Sequence, residues 1–260
     1  MRCSSSTKGF SKLRTIVRSA MDVAVYSLTI TIPIIRRESI KLITCRHNKN
    51  FVAIAQQLDR IVQGVALWNE WRSEHPDTPI DLSNSNLSEL DLAGVNLSFA
   101  KLNGVDFCDS NLVAADLRCT NLRGSNLSDA DMMGVNLSYS NLTRAVMAGV
   151  NLSGAKLQRA NLSRALLVGA DLSQADLTES EMLNTKLRRA NLQGAKLGEA
   201  DLTEANLCEA NLQSADLRHT ILSEADLSDA NLERALISEQ TVLGDAILLG
   251  AVMPDGKIVE

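Results

Sequence analysis

Every fifth residue from Leu82 to Ile237 is Leu, Phe, Met or Ile, at 32 consecutive positions. Two places before each stands a residue that is usually small, most often Ala or Ser. The place between is usually Asn or Asp. Ala160-Asn161-Leu162-Ser163-Arg164 and Ala200-Asp201-Leu202-Thr203-Glu204 show the unit. A repeat this strict restricts the architecture before composition is considered. On an α-helix, five residues advance the side chain by roughly 140°, so the leucines would spiral and form no face. On a flat strand, an odd spacing would send successive leucines to opposite sides. The chain must therefore turn once in every pentapeptide, with each short extended piece pointing its central residue inward.

The A-(D/N)-L-x-x run resembles the pentapeptide-repeat proteins, over residues 80 to about 254, two-thirds of the chain. The resemblance implies an all-β solenoid: a right-handed quadrilateral β-helix with four pentapeptides per coil. The central Leu and the small residue two before it point inward, and the other three positions point outward. This makes about nine coils, and at roughly 4.8 Å per coil a rod about 40 Å long. A bulky residue at the small position (Leu90, Val95, Val105, Val135, Val150) needs compensation nearby. These residues predict a less regular first half. Near the end, Thr241-Val242-Leu243, Ala246-Ile247-Leu248 and Ala251-Val252-Met253 place the centres one residue late. One residue is expected to be inserted near Glu239 or Gln240, as a bulge.

Residues 51–79 read as an amphipathic helix and linker. Phe51, Ile54, Leu58, Ile61, Val65 and Trp68 follow three-and-four spacing, and Pro76 and Pro79 end the pattern. A solenoid's first coil exposes unpaired backbone and an apolar core, so this helix is expected to cap it. Residues 1–50 form a basic leader, expected to be poorly ordered. Its apolar stretch, Val23 to Ile35, is too short to span a membrane as a helix. A signal peptide, a transit peptide or a translation start at Met21 remain open for it. Residues 255–260 are a C-terminal tail.

Charge is split along the chain. Residues 1–79 carry 12 basic and 6 acidic side chains, and residues 80–260 carry 14 basic and 25 acidic, a net of −11. Such a body repels a nucleic acid backbone, so direct nucleic acid binding is not expected. Five cysteines without paired spacing suit a reducing compartment, here the cytoplasm. No Cys/His cluster suggests zinc, and no phosphate-loop or dinucleotide motif occurs. The outward Asp/Asn positions suit tight turns, where these side chains hydrogen-bond nearby backbone, rather than calcium. His219 is expected on an open face and not in a catalytic pocket. No catalytic residue, metal or cofactor is expected.

In a four-unit coil, residues twenty apart are stacked. Val146 and Leu166 then replace Asp/Asn in adjacent coils, with Ala148 and Val168 beside them and Met133 nearby. An apolar centre with Lys186 and Arg188 above it is a candidate protein-binding patch. Phe99, Cys119 and Tyr139 form a second stacked column, read either as support for the N-terminal cap or as a second binding strip. The first functional expectation is a non-enzymatic scaffold or regulatory interaction module with an unidentified protein partner, monomeric or an end-to-end homodimer. Gly250-Ala251-Val252-Met253-Pro254-Asp255-Gly256 resembles the terminus of a regulatory cyanobacterial member of the family. The alternative is a DNA-mimicking inhibitor of a type II topoisomerase (gyrase), as the quinolone-resistance members of the family are. Against it, Phe107 is the only central Phe, and Lys156, Arg159, Arg164, Arg188 and Arg189 interrupt the acidic columns.

Overall fold

In the computed structural model the described residues are 49–260, with side chains described from residue 55. The leader expected over residues 1–50 lies, but for its last two residues, outside them. From Leu82 to Leu232 the units share one backbone plan. In all but those centred at Leu87 and Leu117, the N–H three places after the centre donates to the centre's carbonyl, as from Ala165 to Leu162 at 2.9 Å. The residue two after the centre has positive φ, 62° at Arg164 and 61° at Glu199. This is the type II turn pattern, which needs positive φ at its third residue. Not one β-branched residue occupies that place from Asn84 to Arg234, and such side chains tolerate it least.

Parallel bridges join each outward Asp/Asn position to the one twenty residues later, from Asp81–Lys101 to Asp216–Leu236. Four pentapeptides therefore close one coil, and the fold is a quadrilateral β-helix. Coils are tied in both directions. Leu162 N donates to Glu181 O of the next coil at 2.7 Å, and Asn161 N to Ser140 O of the previous one at 2.9 Å.

The central residues Leu82 to Leu232 are buried, with the small position packed beside them. The less regular first half is not found, because the twenty-residue register holds throughout it. The reason lies in the columns. Val95 and Val135 alternate with Ala115 and Ala155, Val105 sits between Ser85 and Ser125, and Val150 between Ala130 and Ala170. A large side chain is thus always stacked against small ones, which preserves close packing. Most buried hydroxyls are satisfied locally: Ser110, Thr120 and Ser125 each donate to the carbonyl three residues back at 2.7 Å, while Thr220 donates to Leu197 O of the previous coil at 2.7 Å. Ser180 Oγ is the exception and has no partner.

The irregularity sits at the other end. Ile221–Val242, Asp226–Ile247 and Asn231–Val252 are bridged across twenty-one residues. The extra residue lies at Ile237–Ser238, slightly before the expected place. Ser238 O takes the turn bond from Thr241 N at 3.0 Å, as a centre would. Ile237, which continues the five-residue period, is displaced from the core and 36% exposed. Beyond the bulge, Leu243 and Leu248 pack against the core as the shifted register predicts. The tail then doubles back. Ile258 bridges Val252 antiparallel, and Val259 exchanges hydrogen bonds with Gly250 N at 2.8 Å and Ala251 O at 3.0 Å.

The single helix expected within residues 51–79 is two helices, α1 (Lys49–Ile61) and α2 (Val65–Glu74). Gly64, at φ 125° and ψ 155°, separates them in a conformation natural to glycine. Leu58, Ile61 and Trp68 join the buried core. The α2 side chains bond the first coil's backbone: Trp68 Nε1 donates to Asn96 O at 2.7 Å, Asn69 Nδ2 to Gly94 O at 2.9 Å, and Asn96 N to Asn69 Oδ1 at 2.8 Å. Gln57 of α1 donates to Pro79 O and accepts from Asp81 N, both at 2.9 Å. Among the described residues no helix is long and apolar enough to cross a membrane.

Two substitutions separate the apolar column from its polar exceptions. Leu157→Ala removes a fully buried centre and is expected to destabilise by about 2–5 kcal/mol. Ser180→Ala removes an unpartnered buried hydroxyl and is expected to be neutral or to stabilise by up to about 1 kcal/mol. Urea midpoints of the two variants check both; a midpoint clearly below wild type for Ser180→Ala contradicts the second.

Candidate functional site

The outward Asp/Asn residues have a shared task. Their Oδ1 accepts the N–H two places on, as Asn161 does from Ser163 at 3.0 Å and Asp201 from Thr203 at 3.0 Å. Neighbouring coils also link these side chains to each other, as Asn151 Nδ2 to Asp131 Oδ1 at 2.9 Å. The structural role read for these residues in the sequence is therefore directly visible. Val146 and Leu166 have no such oxygen, so no side chain caps the N–H of Ala148 or Val168.

Val146 and Leu166 are bridged neighbours in adjacent coils, and they stay exposed, at 36% and 42%. Val168 is also exposed and Ala148 half-buried. These four share one side of the rod. Met133 is exposed too, but it lies on the following side, beyond the corner at Asp129 and Gly149. At the rim, Lys186 follows Leu166 in the bridge column and donates to Asn184 Oδ1 at 2.7 Å. Arg188 and Arg189 both bind Glu209, at 2.5 and 2.6 Å. The hydrogen bonds from Arg189 and Arg188 hold the Glu209 carboxyl below the usual glutamate range. The rim cations are thus largely occupied within the rod.

Phe99, Cys119 and Tyr139 occupy successive corner positions with φ of 62°, 57° and 61°. Phe99 is 72% exposed. The corner conformation aims these side chains away from the rod. Tyr139 is met from the next coil by Arg159, whose guanidinium carbon lies 5.8 Å from the ring centroid. Arg159 also forms a two-pronged pair with Glu179, at 2.8 and 3.0 Å.

The sequence reading did not single out the apolar band at the last coils. Ile221, Leu236, Val242 and Ile247 replace Asp/Asn there and are exposed, as is Leu249. The signal was the same loss of Asp/Asn that marked Val146 and Leu166. His219 lies exposed at an open depression of about 330 Å³ shared with Lys196, Asp216 and Arg218. Arg218 there binds Asp216 at 2.6 Å and, mainly by that hydrogen bond, keeps its carboxyl below the usual range. Among the described residues no group of His, Cys, Asp or Glu is arranged to hold a metal ion.

A profile of the family described as pentapeptide repeats matches eight times, over segments that together run from residue 80 to 238. The chain belongs to the pentapeptide-repeat family. The fold of that family is the right-handed quadrilateral β-helix. Among solved structures, the chain is similar to HetL of the cyanobacterium Nostoc sp. strain PCC 7120, a pentapeptide repeat protein involved in heterocyst differentiation regulation. Identity is 33%, over 73% of this chain and 97% of HetL, with a TM-score of 0.34. A pentapeptide repeat protein of the Arabidopsis thaliana thylakoid lumen is 29% identical, over 39% of this chain and 70% of that one, with a TM-score of 0.38. QnrB1, a plasmid-mediated fluoroquinolone resistance protein, is 16% identical, over 62% of this chain and 92% of that one, with a TM-score of 0.33. No curated protein matches the chain significantly.

Cys108, Cys119 and Cys208 are free thiols. Cys108 Sγ donates to Asp109 Oδ2 at 3.2 Å, and that bond, with some burial, raises the thiol to about 11. The thiolate is the reactive form, so Cys108 is expected to alkylate slowly at pH 8. Asp109→Asn is expected to speed its labelling by iodoacetamide by on the order of tenfold or more. Site-resolved mass spectrometry measures this, and an unchanged rate refutes the assignment.

Proposed function

We propose that this chain is a non-enzymatic scaffold or regulatory module that binds a protein partner through the Val146, Ala148, Leu166 and Val168 face. Met133 lies on the adjoining side. The observation that carries the reading is that two consecutive turn-capping positions are given up to Val and Leu, which remain exposed. Each substitution forfeits a local hydrogen bond and leaves apolar surface in water, and contiguous patches of this kind mark interaction sites. The backbone beneath is bonded to both neighbouring coils, as Leu166 N to Ala145 O at 2.9 Å and Leu167 N to Lys186 O at 2.8 Å, so the face is rigid before binding and little ordering is needed on contact.

A scaffold of about nine coils also needs protected ends. The Trp68, Asn69 and Gln57 bonds to the first coil support the reading of α1 and α2 as its N-terminal cap. The apolar last coil is compatible with either a monomer or an end-to-end homodimer. Free cysteines support a reducing, cytoplasmic setting. Titratable groups paired on open surface support a function without catalysis, since nothing about them excludes water. The second reading, a DNA-mimicking gyrase inhibitor, draws on the net charge of −11 over residues 80–260. The arginines on several columns weaken it, because a duplex presents no such cations.

The test compares wild type with Leu166→Asp/Val168→Asp as bait in affinity capture from the native host. Leu166→Asp restores the residue common at this place in other coils, so the variant is expected to fold, which circular dichroism checks. A partner retained by wild type and lost by the variant is the expected result. Identical partners for both baits refute the proposed face. Inhibition of gyrase supercoiling by the purified chain would instead favour the second reading.

A further inference from the structure

We propose that the side of the rod formed by Lys101, Arg123, Arg144 and Arg164 binds an acidic peptide segment of the partner that docks on the neighbouring apolar face. The second half of this statement rests on the reading above; the first stands on its own observations.

Arg123, Arg144 and Arg164 line an open depression of about 350 Å³, together with Asn161, Ser163 and Leu183. Among the described residues none of the three guanidinium groups takes part in an ion pair or hydrogen bond. The other arginines of the repeat region all pair: Arg118 with Asp116, Arg159 with Glu179, Arg188 and Arg189 with Glu209, Arg218 with Asp216, and Arg234 with Glu233. Three unpaired arginines on one side of a rod with 25 acidic residues are therefore not a consequence of scarce carboxylates.

The arrangement is also local. Over the coils centred at Leu102, Leu122, Leu142 and Leu162, the outward positions of this side carry four cations and no carboxylate. Carboxylates resume only at Glu181, which accepts from Asn161 Nδ2. Arg144 and Arg164 occupy consecutive corners, with φ of 60° and 62°. Their backbones lie roughly one coil spacing, about 4.8 Å, apart, so two like charges stand on neighbouring coils without a carboxylate partner. A bound anion supplies what the rod withholds.

The neighbouring residues identify the kind of anion. In Arg144-Ala145-Val146 and Arg164-Ala165-Leu166 the cation stands at the corner and the exposed apolar residue begins the next side. Leu183 adds apolar surface within the depression. A ligand crossing this corner meets charge and hydrocarbon side by side, which suits Asp/Glu interspersed with Leu, Ile or Phe. A nucleic acid backbone would use the cations alone. It would also face repulsion from the acidic remainder of the rod. Because the bridging backbone here is already bonded between coils, as Arg144 N to Ser163 O at 3.1 Å and Arg164 N to Leu183 O at 2.8 Å, recognition runs through side chains and not by strand addition.

The experiment selects a random displayed peptide library on the full chain, with counter-selection on Arg123→Glu/Arg144→Glu/Arg164→Glu. Glu is tolerated at the corners of Arg144 and Arg164, since Glu204 and Glu224 occupy the same column at φ 58° and 57°, and Arg123 is exposed one place before that corner. Circular dichroism confirms the fold. The expected result is enriched peptides combining acidic and apolar residues. A synthetic consensus peptide should bind the triple variant at least about tenfold more weakly, and lose affinity as salt rises. No enrichment against the variant overturns the inference, as does tighter binding of a DNA duplex than of any selected peptide. Apolar peptides that need Leu166 but ignore the arginines also overturn it while leaving the docking face intact. Acidic peptides that need the arginines but tolerate Leu166→Asp sustain it and remove the docking face instead.

Discussion

The bond from the N–H three places after a centre to that centre's own carbonyl, made in nearly every unit, organises the repeat region. It closes each pentapeptide into a turn, and the turn is what lets a five-residue period face one way. Inward Leu, outward Asp/Asn and the twenty-residue register all depend on it. The exclusion of Val, Ile and Thr from the corner follows too, since the corner must hold positive φ. A hydrophobic repeat alone would leave the chain's geometry open. The turn converts it into a square coil whose backbone groups meet those of the coils above and below.

Given that frame, stability and recognition occupy different positions of the same unit. Inward places are intolerant, because Leu and its small companion fill a column with little free space. Outward places are tolerant, because the inter-coil ladder is made by backbone. The Asp/Asn position lies between these extremes. It faces out, yet caps a backbone N–H, so its replacement by Val146 and Leu166 carries a local penalty that Ser163 or Gln158 would not. Deviations there are accordingly more informative than deviations elsewhere on the surface.

The rod was legible because its signal is periodic and repeated. Stacking by twenty followed from the family resemblance, and it correctly placed Val146 under Leu166. What was not legible depends on single residues or on side-chain reach. Ile237 fits the five-residue period perfectly as an apolar residue, so the sequence puts it in the core; only the bonding of Ser238 reveals that the bulge has already begun. Gly64 interrupts an apolar spacing that otherwise runs unbroken from Phe51 to Trp68, and spacing alone does not register a change of backbone direction. Phe99 shares a column with Tyr139, but nothing in that column says whether a helix covers it. The pairing state of the arginines needs coordinates as well. Arg159 and Arg164 are five residues apart in equivalent corners, yet Arg159 has Glu179 directly above it while Arg164 has Asn184.

The bulge at Ile237–Ser238 has a further consequence for how such a chain changes length. Duplicating or deleting twenty residues within 82–236 adds or removes one full coil and leaves every column on its own side. A change of one residue must instead be absorbed as a bulge, as at Ile237–Ser238, after which the bridges resume across twenty-one residues. Beyond the slip, the returning strand at Ile258 and Val259 pairs with Gly250, Ala251 and Val252. Rod length is thus quantised, with whole coils as the heritable step.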